Sequence, residues 1–380
     1  MIDRYFGISS RITKWKESSL FEQEMSDSAQ SNFESRRLYC EYYKNIDPVY
    51  YERGKEFAQK LIKENCLDFE GSTFEDIYND MVYCLHRYGL SFQDYLIYNL
   101  YNKSEYSRGQ FVSDKLRYYY CDILNGPDVY NLMTDKLKCY EEYNRFYKRE
   151  VIPVINQEDK SGFLKFVSLH RNFIYKPLNE HSGHGITIIN SSEVDPQKWF
   201  EEKIQTGPGI IEELIMQGET LNIINPNSIN SCRVLTFRID REVTIIGVTL
   251  RMGDGRGITD NAGAGGIFAS VNPQTGIIQS DAKNYKNQHF NFHPFTGTQI
   301  IGYKLPDWED ALNMIREIVL QREDTTMISW DIAYSNKGWL LVEANDNGDW
   351  SLIQSNFELG KKKELYNLKD KYFEIKSKSR

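Results

Sequence analysis

Met327–Gly348, MISWDIAYSNKGWLLVEANDNG, is the stretch on which the reading of the fold turns. Two β-rich runs, Met327–Ser335 and Trp339–Ala344, flank Asn336-Lys337-Gly338. Glycine suits the left-handed last position of a three-residue hairpin loop. Pairing Ser335 with Trp339 sets Asp331 directly opposite Glu343, where cross-strand Cβ atoms lie about 5 Å apart. The two-residue period then puts Asn345 on the Glu343 face. Two carboxylates and an amide oxygen among Trp330, Ile332, Leu340, Leu341 and Val342 repel one another unless a cation joins them. Hard oxygen ligands of this kind suit Mg²⁺, which keeps waters and shares its shell with phosphates. The alternative is an ordinary hairpin with its acids at a solvated edge. A four-residue loop would instead leave Asp331 facing Val342.

Working outward, 380 residues are enough for two or three domains with a large core. Hydrophobic residues at 40% and charged residues at 26% describe an ordinary soluble globular chain. A net charge of −8, without a lysine- or arginine-dense face, argues against a general nucleic-acid binder. Six cysteines are scattered without a CxxC pair, which reads as reduced thiols and neither a disulfide frame nor a zinc site. The opening MIDRYFGISSRITKWKESS has no apolar signal core, and no run approaches 18 apolar residues. The expectation is a cytoplasmic protein without a membrane span.

Helical spacing dominates the first third, as in Phe57, Leu61 and Ile62 or Ile77, Met81, Val82 and Leu85. It predicts a mostly helical N-terminal domain over residues 1–124, with a turn at Gly89 and Ser91 capping the next helix. Its tyrosines and His86 read as packing residues. After Asn125-Gly126-Pro127 the texture changes. Thr134 or Asp135 caps a helix running through Tyr147. A strand, Asn172–Pro177, leads through the loop 178–185 into a second strand, Ile186–Ile189; this hairpin is unlike the strand-to-helix P-loop. Ile210–Ile215 reads as a short buried strand ending in acids. Strands follow at Ser231–Ile239, Glu242–Leu250 and Ile267–Val271. Pro306-Asp307-Trp308 caps an amphipathic helix, Trp308–Leu320, and a charged helix or tail begins at Lys361.

Each chemical element is weak alone. Lys176, at a strand end before a glycine-rich loop, would neutralise phosphate, while Gly183 and Gly185 let backbone N–H groups approach it. Glu212-Glu213-Leu214-Ile215 would offer backbone groups to an adenine edge and a carboxylate to a ribose. Arg233, alternating with apolar neighbours, is costly to bury unless it meets phosphate or carboxylate.

The order of these elements resembles the ATP-grasp superfamily, and more closely the sugar-transfer-associated ATP-grasp group of polysaccharide-biosynthesis proteins. The likeness rests on Thr134-Asp135-Lys136, Tyr175-Lys176-Pro177 with Ser182-Gly183-His184-Gly185, and Ile211-Glu212-Glu213. It continues through Ser231-Cys232-Arg233-Val234, Leu250-Arg251-Met252-Gly253, Asp260-Asn261, His293-Pro294 and Gly302-Tyr-Lys-Leu-Pro-Asp-Trp308, and closes on Trp330-Asp331 with Glu343-Ala344-Asn345. The resemblance implies an α+β ATP-grasp fold after the helical domain, with a small lobe over 125–213 and a large lobe over 214–380. It implies ATP and Mg²⁺. Lys136 and Lys176 would contact the phosphates, with Ser182, Gly183, His184 and Gly185 folding over them. Glu212, Glu213, Leu214 and Ile215 would form the adenine hinge, and Asp331, Glu343 and Asn345 the metal site. Arg233 and Arg251 are candidates for stabilising the transferring phosphoryl group. Asn261 and His293 complete the candidate catalytic set, His293 as proton acceptor. In place of the basic residue that superfamily members often carry near the metal asparagine, Asn345 is followed by Asp346-Asn347-Gly348-Asp349.

The implied chemistry is attack of a carboxylate on the γ-phosphate, then capture of the acyl phosphate by an amine. A sugar or sugar nucleotide and an amino acid or amine are the expected substrates, in capsule or O-antigen assembly. A kinase acting on a sugar hydroxyl and a non-catalytic nucleotide-binding partner of a glycosyltransferase are the alternatives.

Overall fold

Apolar residues recurring at helical spacing make the described residues from Phe33 to Leu124 mostly helical. The computed structural model describes residues 33–65, 69, 71–178, 185–257, 260, 263 and 265–378. Ser182, Gly183, His184 and Asn261 lie outside the described residues.

One unit comprises the described residues through Tyr120 together with 285–288 and 350–378. Ser91 opens the helix Phe92–Ile97 with a capping box: its hydroxyl accepts from the Asp94 amide, and the Asp94 carboxylate accepts from the Ser91 amide. Inside this unit the fully buried Asp80 receives Arg108 at 2.7 and 2.8 Å, the Tyr95 hydroxyl at 2.7 Å, and Arg36. A carboxylate is tolerated there because donors surround it. His86 stacks on Tyr43 with ring centroids 3.5 Å apart, which is packing.

The second unit, 121–284 with 289–349, holds two antiparallel sheets. The smaller contains β1 (Val151–Val154), β2 (Asn172–Pro177), β3 (Thr187–Asn190) and β4 (Gly209–Glu213) in the order β1-β4-β2-β3. Helices Lys160–Leu169 and Pro196–Thr206 cover one face, where Phe163, Phe166, Phe173, Tyr175, Phe200 and Ile211 form a core. Strand alternation sends Lys176 and Glu212 to the opposite face. β4 lies so close to β2 that a Cβ on Gly209 would meet the Lys176 carbonyl at 2.5 Å and the Tyr175 ring at 2.6 Å.

The larger sheet contains β5 (Ser231–Ile239), β6 (Glu242–Met252), β7 (Ile267–Val271), β8 (Ala282–Lys283), β9 (His289–Phe290), β10 (Met327–Ser335) and β11 (Gly338–Asn345), ordered β11-β10-β5-β6-β7-β8-β9. Cys232, Val234, Val248, Leu250, Trp330, Ile332 and Leu341 share a core with the helices Lys136–Tyr147 and Trp308–Gln321. Asp135 caps the first of these, accepting from the amides of Leu137 and Lys138 at 3.1 Å each. Asp307 stands at the N-cap of the second, where its carbonyl accepts from the amides of Asp310 and Ala311 at 3.0 and 3.3 Å. Its side chain makes no cap hydrogen bond; the carboxylate accepts the Tyr334 hydroxyl at 2.6 Å instead.

The β10–β11 hairpin differs from expectation in its loop but not in its pairing. Ser335 pairs with Gly338, so the loop is the two residues Asn336 and Lys337, and Gly338 has φ +79°. Tyr334 then faces Trp339, Ala333 faces Leu340 and Ile332 faces Leu341. The register shifts there, and Asp331 faces Glu343 with Val342 left over as a bulge. Bulge and shorter loop offset one another.

Candidate active site

The polar face of the small sheet carries a buried ion triad. Lys176 Nζ lies 2.8 Å from Glu212 Oε1, and Arg149 Nε donates to Glu212 Oε2 at 2.8 Å. Burial alone would raise the Glu212 carboxyl; Arg149 and Lys176 outweigh it and hold its pKa at about 2. Arg149 Nη1 and Nη2 donate to the carbonyls of Leu341 and Val342 at 2.6 and 3.1 Å, joining the small sheet to β11. Lys136 Nζ donates to the carbonyls of Pro177 and Leu178 at 3.0 and 3.4 Å, at the near end of the glycine loop. Glu213 binds Lys337 at 2.9 Å. Beyond it Leu214 and Ile215 leave the sheet half-buried, and among the described residues their main-chain groups make no hydrogen bond to protein.

One face of the large sheet carries the matching row. Cross-strand register aligns Glu343, Asp331, Arg233, Thr249 and Ser270 across five strands. Arg233 grips Asp331 with two bonds of 2.9 Å and reaches Asp349 at 2.8 Å. Arg251, two register pairs along and so on the same face, lies 3.0 Å from Asp331 and donates to Ser231 Oγ at 2.6 Å. Asp260 accepts the Ser231 amide at 3.0 Å and its hydroxyl as well. Burial would raise the Asp331 carboxyl, but the two arginines win and its pKa falls. Glu343 behaves oppositely. By surface area it is exposed, yet protein surrounds it closely; burial, then the Asp331 charge, raise its pKa, and Arg251 and Lys176 only moderate the rise.

Of the expected residues, Lys176, Glu212, Arg233, Arg251, Asp331, Glu343 and Asn345 sit on these two polar faces. Glu212 has both oxygens committed to Arg149 and Lys176. His293 is buried in a turn: Nε2 meets the Gly253 carbonyl at 2.8 Å, and the amides of Phe295 and Thr296 approach Nδ1 at 3.4 Å. Burial lowers its pKa. Gly185 is exposed with φ +73°. Sequence reasoning missed Arg149, which lies on a connector without periodic signal, and read Asp349 among the added acids that would widen a metal shell or contact an acceptor amine; here it meets Arg233. Its distance from Asn345 suits a turn returning toward the arginine strand.

The family described as sugar-transfer associated ATP-grasp matches residues 115–369, about two thirds of the chain. The chain belongs to that family. No curated protein matches it. Among solved structures, this ATP-grasp chain is similar to N5-carboxyaminoimidazole synthetase from Staphylococcus aureus complexed with ADP: 12% identity, TM-score 0.38, 66% of this chain and 60% of that one. It is also similar to D-alanine–D-alanine ligase from Helicobacter pylori, at 13% identity and TM-score 0.36, over 62% of this chain and 60% of that one. It therefore spans less than two thirds of either. No helix among the described residues is long and apolar enough to cross a membrane.

The donor set on the large-sheet face suits a hard cation. No cluster of three or more His, Cys, Asp or Glu side chains of metal-binding geometry occurs among the described residues. Two carboxylates and one amide share the face instead, and Mg²⁺ commonly completes so small a protein set with water and phosphate. The buried Asn345 Nδ2 has no hydrogen-bond partner, which leaves an open amide donor beside the two carboxylates. Asp331 is already heavily engaged by arginine, which leaves Glu343 and Asn345 as the more open donors.

Proposed function

We propose that this protein is an ADP-forming carboxylate–amine ligase that joins a sugar or sugar nucleotide to an amino acid or amine during capsule or O-antigen assembly. The observation that carries the reading is the union, in one unit, of a lysine face and an acid–arginine face, bridged by Arg149 from Glu212 to β11. Membership of a family named for sugar transfer supports the substrate class.

Lys176, held straight by Glu212, would bind phosphate oxygens from the small sheet, with Lys136 bracing the start of the glycine loop. Leu214 and Ile215 would present free main-chain groups to the adenine edge. Asp331, Glu343 and Asn345 would hold Mg²⁺, which when bound supplies charge neutralisation to the phosphates. Arg233 and Arg251, fixed by Asp331, Asp349 and Ser231, would aim their remaining donors at a transferring phosphoryl group. Positioning and electrostatics suffice for such chemistry, with no covalent catalyst. Neither nitrogen of His293 is open, so the amine's proton acceptor is assigned to no residue.

The test incubates the protein with ATP, Mg²⁺ and panels of amino acids and sugar nucleotides. ADP, phosphate and a product lighter by one water than its two substrates are expected. AMP with pyrophosphate, or a stable phosphorylated sugar, would reject the ligase, the latter in favour of a kinase. Unchanged cellular function in an Asp331→Ala, Glu343→Ala double variant would favour a non-catalytic partner.

A further inference from the structure

We propose that Arg149 is the positioning residue that ties the phosphate-binding lysine to the metal-binding carboxylate, an inference that rests on the ligase reading above. Arg149 follows the helix Lys136–Tyr147 and is buried. One edge of its guanidinium, Nε and Nη2, meets Glu212 Oε2 at 2.8 Å each, and the other Glu212 oxygen meets Lys176 at 2.8 Å. Nη1 and Nη2 also reach the carbonyls of Leu341 and Val342 at 2.6 and 3.1 Å.

Those two carbonyls belong to the β11 bulge. A regular ladder continuing from the Ser335–Gly338 pair would set Asp331 against Val342 and Glu343 against Trp330, whose side chain is in the core. Side chains alternate faces, so a one-residue slip would turn Glu343 from the polar face to the apolar one. The bulge is therefore what brings Glu343 to Asp331 and puts Asn345 opposite Ser329. A bulged residue sits outside the regular ladder, and here Arg149 binds the carbonyls at that place. Its rigid five-donor fork serves a carboxylate and three carbonyls together, those of Leu341, Val342 and, at 3.2 Å, Tyr147. A lysine ammonium, a point charge with three donors on a flexible stem, would keep Glu212 but not span both bulge carbonyls. One guanidinium thus orients Lys176 through Glu212 and Glu343 through the bulge.

The two ends are separable by calorimetry of ATP binding to the full chain, first in EDTA and then across a Mg²⁺ titration. Metal-free affinity reads the lysine end, and the Mg²⁺ concentration giving half of the metal-dependent gain reads the carboxylate end. Arg149→Lys is expected to raise that Mg²⁺ midpoint about tenfold, the lower range for loss of a supporting partner behind a metal ligand, and to leave metal-free affinity unchanged. Glu212→Gln is expected to do the reverse, changing metal-free affinity at an unchanged Mg²⁺ midpoint. Arg149→Met should change both; if it fails to fold, the other two variants carry the test. A folded Arg149→Lys with a lowered melting temperature but the wild-type Mg²⁺ midpoint would make Arg149 merely structural and overturn the proposal. A wild type that gains no affinity from Mg²⁺ would remove the ligase reading, and the coupling with it. A wild type that binds Mg·ATP, with variants that match it, overturns the coupling alone.

Discussion

Glu343 and Glu212 both feel burial that would raise a carboxyl, and their neighbouring charges decide how each responds. Glu212 has a lysine and an arginine against it, and its carboxyl sits at about 2 in place of 4.5. A depressed acid contributes stability that is present above its ordinary pKa and lost as pH falls through the folded one. The shift corresponds to roughly 3 kcal/mol, disappearing between about pH 4.5 and pH 2. Denaturant midpoints measured across that window should show the loss, and Glu212→Gln should flatten this part of the curve. Glu343 has a carboxylate for its nearest charge, and its pKa is raised. The sign reverses: this group detracts from stability as pH rises above 4.5. Glu343→Gln is therefore expected to melt higher than the wild type at pH 7 while losing Mg²⁺-dependent nucleotide binding. A lower melting temperature would contradict the Asp331–Glu343 repulsion. Lys176, Asp331 and Glu343 were legible because strand alternation and hairpin pairing fix which side chains share a face. Arg149 was not, because its partners are 63 and 192 positions away and no local pattern announces them.

At the scale of the element, two close fits set the geometry of the site. β4 approaches β2 through Gly209, where any Cβ would press on the Lys176 carbonyl. Gly209→Ala should cost about 1–3 kcal/mol, as overpacking does, and weaken nucleotide binding by displacing Lys176. Thermal melts and ATP titrations read the two effects separately. The second fit is the bulge in β11. The sequence-based pairing reached Asp331 opposite Glu343 through a three-residue loop, whereas the chain reaches it through a two-residue loop and one bulged valine. The two routes differ by one residue at the turn and one at the bulge, so alternation of hydrophobic and polar residues cannot tell them apart. Asp307 makes a similar point. Its place before an apolar helix reads as a cap, but a tyrosine hydroxyl on β10 claims the carboxylate.

For the whole molecule, the helical unit and the two-sheet unit have separate hearts. Asp80 anchors the first, and removing its charge leaves the buried Arg108 with only the Glu105 carboxylate, 3.9 Å away. Asp80→Asn is expected to lower the unfolding free energy of that unit by about 3–5 kcal/mol in denaturant titrations. For the ligase reading, ATP and Mg²⁺ at a hundred times the dissociation constant should raise the unfolding free energy by about 2.7 kcal/mol, read as a melting shift that EDTA reduces. Absence of any nucleotide-dependent shift would count against an ATP site. By itself the sequence determined the helical leader, the strands and their faces, and the order of basic and acidic motifs that marks the family. Those features rest on local periodicity and on spacing along the chain. Only the tertiary structure decided that residues 350–378 group with the helical unit, that Glu212 is consumed by an ion triad, and that Arg149 holds the bulge that aims Glu343. Each of these depends on contacts between distant segments in a low-dielectric interior, where the partner a charge finds outweighs the pattern in which it is written.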